Sequence, residues 1–298
     1  MKIFDCFTFF NELELLELRL ESLYDVVDVF VIVEADKTHA NIPKPFNFRE
    51  HIHAYEKYLP KIRYIMDTSV VPYSGVGDWS LENNQRNNIM KGLDDAEPDD
   101  LILVSDLDEI PDPVMLKTIR ESFTDENKHV DIMAFYDAAP YTKGKLIPFH
   151  SGIRIPTFLD MSPVGCQQKF HTYYFNWICR ALPWSGTVIG KFKHMSSPQA
   201  FRNVRESLPR IPNAGWHFSN MGGVDKLIAK MAAAVECVEL SAVDKKYLDK
   251  KFVEEAMLNG KYFHTPAQFV PCDLSEITLP ALPAFLKKYP YFVRGQNS

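Results

Sequence analysis

Apolar runs separated by stretches of helical periodicity dominate the first half of the chain. Ile3 to Phe7 reads as a strand, and Asn11 to Tyr24 as a helix with Leu13, Leu16, Leu20 and Leu23 on one face. Val26 to Val33 is a second strand, interrupted by Asp28 and closed by Glu34. Phe48 to Tyr58 reads as helical and Ile62 to Met66 as a short strand, and Ser80 caps a helix running to Leu93. A buried strand from Leu101 to Ser105 follows. Asp112 then caps a helix over Pro113 to Ser122, with proline at its first position. Val130 to Tyr136 is another strand. This rhythm predicts an α/β fold with a Rossmann-like, mostly parallel sheet flanked by helices.

The second half has a different texture. Residues 137 to 216 are rich in proline, glycine and aromatics, with alternating stretches such as Lys169 to Cys179, and read as antiparallel strands, turns and loops. Ser197-Pro198 opens a helix through about Leu208, Val224 to Leu240 and Val243 to Leu258 read as long helices, and a proline-rich tail wraps the surface. No linker composition separates the halves. The expectation is one unit over 1–298, with a nucleotide-sugar half at 1–136 and an acceptor half at 137–298.

The central strand ends in Ser105-Asp106-Leu107-Asp108-Glu109-Ile110-Pro111-Asp112, an apolar run that stops in four acids. The carboxyl edge of an open α/β sheet is where ligands bind. Carboxylates crowded there repel one another unless a cation neutralises them. A hard divalent ion, Mg²⁺ or Mn²⁺, suits such oxygens and in turn binds phosphates, which makes Asp106 and Asp108 candidate metal ligands. The bland alternative is a solvated acidic turn.

Composition narrows the field. The chain has 298 residues, 46% hydrophobic, with net charge −6, so no basic excess favours nucleic acid. Five cysteines without Cys-x-x-Cys spacing suggest neither a disulfide framework nor zinc, and fit a reducing cytosol. No apolar segment is long enough to span a bilayer. The sequence sets no oligomeric state.

Several blocks, in order, resemble a known family. They are Phe7-Thr8-Phe9-Phe10-Asn11-Glu12 with Leu16 and Arg19-Leu20, Ile32-Val33-Glu34, Glu82 with Gln85-Arg86-Asn87, Ser105 through Pro111, and Ala214-Gly215-Trp216-His217-Phe218-Ser219. Together they resemble glycosyltransferase family 17, over about residues 3 to 240. The resemblance implies a glycosyltransferase-A fold and an inverting transferase that uses Mn²⁺ and a UDP-sugar, with GlcNAc favoured, acting on a hydroxyl of a glycan acceptor. The expectation is a soluble, microbial-type, cytoplasmic member.

Against that background the candidates take roles. Asp108 is the direct metal ligand, Asp106 binds metal or ribose, and His217 is a further metal ligand, a role in which imidazole suits Mn²⁺. Glu34 and Thr8 close adjacent strands where they could reach ribose or base, with helix capping as the plain alternative for Glu34. Arg86, among Asn83, Asn84, Gln85 and Asn87, is a diphosphate clamp or a surface salt bridge. Trp216 stacks on a sugar or packs in the core. Glu109 contacts the transferred sugar, acts as base, or pairs with a basic residue from behind. The acids available as catalytic base are Glu109, Asp137, Asp160, Glu206, Asp225 and Glu236, of which Glu236 ranks first because it follows His217 on a helix.

Other functions fit less of the chain. A haloacid-dehalogenase-type phosphatase would want Thr or Val where Ile110 stands, and an EF-hand fails at Pro111 and Lys117. A non-catalytic sugar-binding protein would have no need of Asp108 and Arg86 together.

Overall fold

The computed structural model describes residues 1–135, 146–147, 154–263 and 267–295. Its strands are β1 (Ile3–Phe9), β2 (Val29–Ala35), β3 (Ile62–Asp67), β4 (Leu101–Asp106), β5 (Glu109–Pro111), β6 (Ala134–Phe135), β7 (Leu146–Ile147), β8 (Val164–Thr172), β9 (Trp177–Lys191), β10 (Arg210–Ile211), β11 (Gly215–Ser219) and β12 (Val270–Pro271). The α-helices are α1 (Leu13–Leu23), α2 (Asn47–Glu50), α3 (Ser80–Asn87), α4 (Pro113–Ser122), α5 (Ile155–Met161), α6 (Pro198–Asn203), α7 (Val224–Met231), α8 (Val235–Val243), α9 (Lys250–Leu258) and α10 (Leu282–Lys288).

The main sheet runs β3-β2-β1-β4-β9-β8-β11-β5, with β10 on β8 and β12 on β9. β3, β2, β1 and β4 are mutually parallel, β9 is antiparallel to both β4 and β8, and β11 is parallel to β8. The fold is α/β, with a mostly parallel sheet flanked by helices, as the alternating pattern implies. β1 and β4 are buried over most of their length because both faces are covered: Ile3 and Phe7 join one apolar cluster with α1, while Phe4 and Cys6 join another with Ile89, Leu93 and, from α6, Phe201. Strands from the second half of the chain complete the sheet beside β4, so both halves meet at its carboxyl edge.

Four local departures from the sequence pattern matter. Glu109, Ile110 and Pro111 form a strand where a free loop is expected, pairing antiparallel with Gly215, Trp216 and His217. Gly215 permits this closeness: its φ is +135°, and a Cβ there would lie 2.2 Å from the Ile110 carbonyl oxygen. The expected helix over Val224 to Leu240 breaks at Ala232–Ala234, where Ala234 is extended and the amides of Ala233 and Ala234 both donate to the Lys230 carbonyl. The stretch after Phe48 is a short α-turn and a 3-10 turn, and Ser80 is the first helical residue, not a side-chain cap. The strand expected over Val130 to Tyr136 is limited, among the described residues, to Ala134–Phe135, and Tyr136 and Asp137 lie outside the described residues. The α4 expectation holds to the residue, with the Asp112 carboxylate accepting from the Val114 amide at 2.7 Å. Among the described residues no helix is long and apolar enough to cross a membrane.

Candidate active site

A cavity enclosing about 1000 Å³, its open mouth included, lies at the carboxyl edge of β1, β2 and β4. Thr8, Phe10, Lys37 and His39 line one side, Asp106, Asp108 and Arg86 the floor, and Trp184, His217, Lys230 and Glu236 the other side. Its position follows from the parallel strands, whose ends converge on one edge.

The floor is held from beneath by Arg19. This α1 residue has no solvent exposure, and its Nε and Nη2 donate to the two carboxylate oxygens of Asp5 at 2.8 and 2.6 Å. Its Nη1 donates to the carbonyls of Asp106, Leu107 and Glu109, at 2.9, 2.9 and 3.1 Å, and Nη2 also reaches the Ser105 hydroxyl. The guanidinium fork thus fixes the path of the acidic loop through its backbone.

The loop's acids then diverge in role. Asp106 accepts from Arg86 Nη2 at 2.9 Å and from Arg202 Nη2 at 2.7 Å. Burial pushes its carboxyl upward, but Arg202 and Arg86 outweigh this and hold it far below the usual carboxylate range. Glu109 is fully buried. Its Oε1 accepts from Arg202 Nη2 and Trp184 Nε1, both at 2.6 Å, and its Oε2 accepts from the Asp106 amide at 2.9 Å.

Asp108 faces a different set. His217 Nε2 stands 3.5 Å from its Oδ1, and Lys230 Nζ stands 3.7 Å from its Oδ2. Burial again works upward on this carboxyl, and His217 and Lys230 overcome it to lower the pKa. His217 is sandwiched between the rings of Trp184, at 4.3 Å, and Phe170, at 4.8 Å. Its Nδ1 is buried without a hydrogen-bond partner. Asp108 and His217 are therefore the carboxylate and imidazole that the structure brings together. Among the described residues no three His, Cys, Asp or Glu side chains converge as a metal cluster, and Asp106, expected as a third ligand, is turned to two guanidinium groups instead.

Part of the chain is similar to known proteins. Residues 1–137 match the model of glycosyltransferase family 17. The matched segment takes in β1 to β5, Arg19, Arg86 and the acidic loop, and ends before β8, β11 and α7. The human protein named β-1,4-mannosyl-glycoprotein 4-β-N-acetylglucosaminyltransferase is 29% identical over 123 residues, 39% of this chain and 23% of its own length. The mouse protein of the same name is 28% identical over a stretch of equal length. The chain thus spans less than a quarter of the curated relatives it matches. A solved mannosyltransferase from Pyrobaculum calidifontis, in complex with GDP-Man and Mn²⁺, aligns with 97% of this chain and 81% of its own at 11% identity, with a TM-score of 0.35.

Within the matched segment, three sequence-based assignments need correction. Glu34 does not face the cavity: it is fully buried inside β2 and accepts from the amides of Asn47 and Phe48, from Lys44 and from the Tyr64 hydroxyl, so it caps α2. Glu109 is fully buried, does not line the cavity, and acts as the anchor of Arg202 and Trp184. Arg86 lines the cavity, but its Nη1 donates to Gln199 and its Nη2 to Glu82 and Asp106, so it is not a free clamp. Thr8 does line the cavity, paired in register with Asp106.

Outside the matched segment, Trp216 belongs to the core, because alternation on β11 turns it away from the face that His217 presents. Of the acids expected as base, Asp160 is paired with Lys191 and Lys193, Glu206 with Arg210 and Asp225 with Lys250. Glu236 lines the cavity, and burial, with Glu82 adding to it, raises its pKa.

Arg19 falls in the first block of the resemblance, but nothing local gives it the role of holding the loop. Three residues of the site carry no clear sequence signal: Arg202 stands in a polar stretch after Ser197-Pro198, and Lys230 shortly before three alanines. Trp184 sits where β9 passes beside β8, and it is the tryptophan that reaches the cavity.

Proposed function

We propose that this chain is a glycosyltransferase that moves a sugar, GlcNAc by preference, from a UDP-sugar to a hydroxyl of a glycan acceptor with inversion. The observation that carries this reading is the grouping of Asp108, His217, Lys230 and Glu236 around one cavity at the ends of β1 and β4, inside and directly facing the segment that matches family 17. In this reading residues 1–136 receive the donor and 137–298 bring the acceptor. The nucleoside would lie along Thr8, Phe10 and His39, and Trp184 would offer its ring to a sugar face.

Inversion requires a single displacement. The acceptor oxygen forms a bond to the anomeric carbon as the bond from that carbon to the phosphate oxygen breaks. The acceptor's proton goes to Glu236, and the bonding pair leaves with UDP. Burial of Glu236 raises its basicity, which suits a group that must take a proton near neutral pH. Asp108 and His217, one hard and one borderline donor, are the residues that would hold Mn²⁺ or Mg²⁺, which when bound would offset charge on the departing diphosphate. Arg19, through the loop carbonyls, keeps Asp108 at this place.

The test is the product of reaction with a panel of UDP-sugars and Mn²⁺. An α-linked donor should give a β-linked product by NMR, with no glycosylated protein by mass spectrometry. An α-linked product, or a covalent sugar–protein species, would contradict the inverting mechanism.

A further inference from the structure

The cations that line the cavity differ in what their N–H groups already hold. Arg86 commits both terminal nitrogens to Gln199, Glu82 and Asp106, and its Nε, which has no partner, is buried away from solvent. Lys44 donates to Glu34 and to the Pro45 carbonyl, and Lys37 donates to the Ser69 carbonyl. Lys230 is different. Its ammonium stands 3.7 Å from Asp108 Oδ2, an ion pair beyond hydrogen-bond distance, and its side chain is 28% exposed to the cavity mouth. It lies in the last turn of α7, where the chain breaks into the small residues Ala233 and Ala234, which also line the cavity.

We propose that Lys230 is the phosphate-binding residue of this site, its ammonium leaving Asp108 to donate to the diphosphate of the bound nucleotide. The inference rests on the nucleotide-sugar reading above and reassigns to Lys230 the role that sequence suggests for Arg86. A lysine is a compact charge with three donors on a flexible stem, so it can swing between a carboxylate and a phosphate without moving α7. Arg86 cannot do the same without giving up its hydrogen bonds to Gln199, Glu82 and Asp106 together. When Lys230 turns away, Asp108 keeps His217 as its neighbour. The exchange therefore links nucleotide binding to the availability of Asp108.

Calorimetry in EDTA with UDP, and with uridine as the phosphate-free control, tests this. Lys230→Gln should weaken UDP by about tenfold or more while leaving uridine unchanged, and Lys230→Arg should retain most of the affinity. Asp108→Asn supplies an independent arm: by releasing Lys230 and removing a negative charge, it should hold or tighten metal-free UDP binding. Unaltered protein that binds UDP, with Lys230→Gln binding it equally well, would overturn the inference alone, as would loss of metal-free UDP binding in Asp108→Asn. Failure of the unaltered protein to bind UDP in EDTA would overturn the inference, and failure to bind it with Mn²⁺ present as well would overturn the nucleotide-sugar reading.

Discussion

Arg19 and Asp5 form a two-point ion pair at 2.8 and 2.6 Å in which neither side chain reaches solvent. The same guanidinium carries the acidic loop on its remaining donors, so a contact between α1 and β1 sets where Asp106 and Asp108 stand.

This pair should matter more to stability than its surface counterparts. Arg19→Met leaves Asp5 buried and uncompensated and three loop carbonyls without their donor. The expected loss is about 3–5 kcal/mol by urea denaturation, with part of it recovered when Asp5→Leu is added to Arg19→Met. An unchanged urea midpoint in Arg19→Met would mean that the loop is held by other contacts.

The contrast between Asp106 and Glu34 shows what a sequence can and cannot convey. Periodicity locates β1, β4 and α4, because apolar alternation and a proline after a capping Asp112 are local signals. Glu34 shares all the local features of a ligand-binding strand end. It is a helix cap only because α2 returns over it, a contact across 13 positions of sequence to Asn47. Asp106 and Asp108 look alike in the sequence, yet Arg86 and Arg202 claim the first while His217 and Lys230 face the second. Those partners come from α3, α6, β11 and α7, and nothing near the acidic loop announces them. The break between α7 and α8 is equally silent, since alanines favour helix. The break leaves both Lys230 and Glu236 at the cavity.

Glu236 gives the site a pH signature. Its pKa is raised by burial, with Glu82 adding to it, so the base form is gained only above the ordinary glutamate range. The value of kcat/KM should rise with pH through that displaced pKa, and Glu236→Gln should abolish both the limb and most of the activity. A carboxyl whose folded pKa is raised favours folding below its unfolded pKa and opposes it as pH rises through the folded value. At neutral pH the Gln variant should therefore be as stable as the unaltered protein or more so. A pH profile unchanged in Glu236→Gln would assign the base elsewhere.

The most direct test of the central claim is release of UDP from a UDP-sugar in the presence of Mn²⁺, compared between the unaltered protein and Asp108→Asn. Asp108 lies at the surface of the cavity, beside His217 and Lys230, and not in the ion-pair lattice that holds the loop. The account predicts UDP release by the unaltered protein and its loss, by about a hundredfold or more, in a variant whose circular dichroism and melting temperature show a retained fold. No UDP released by the unaltered protein from any UDP-sugar, or equal release by Asp108→Asn, would contradict it.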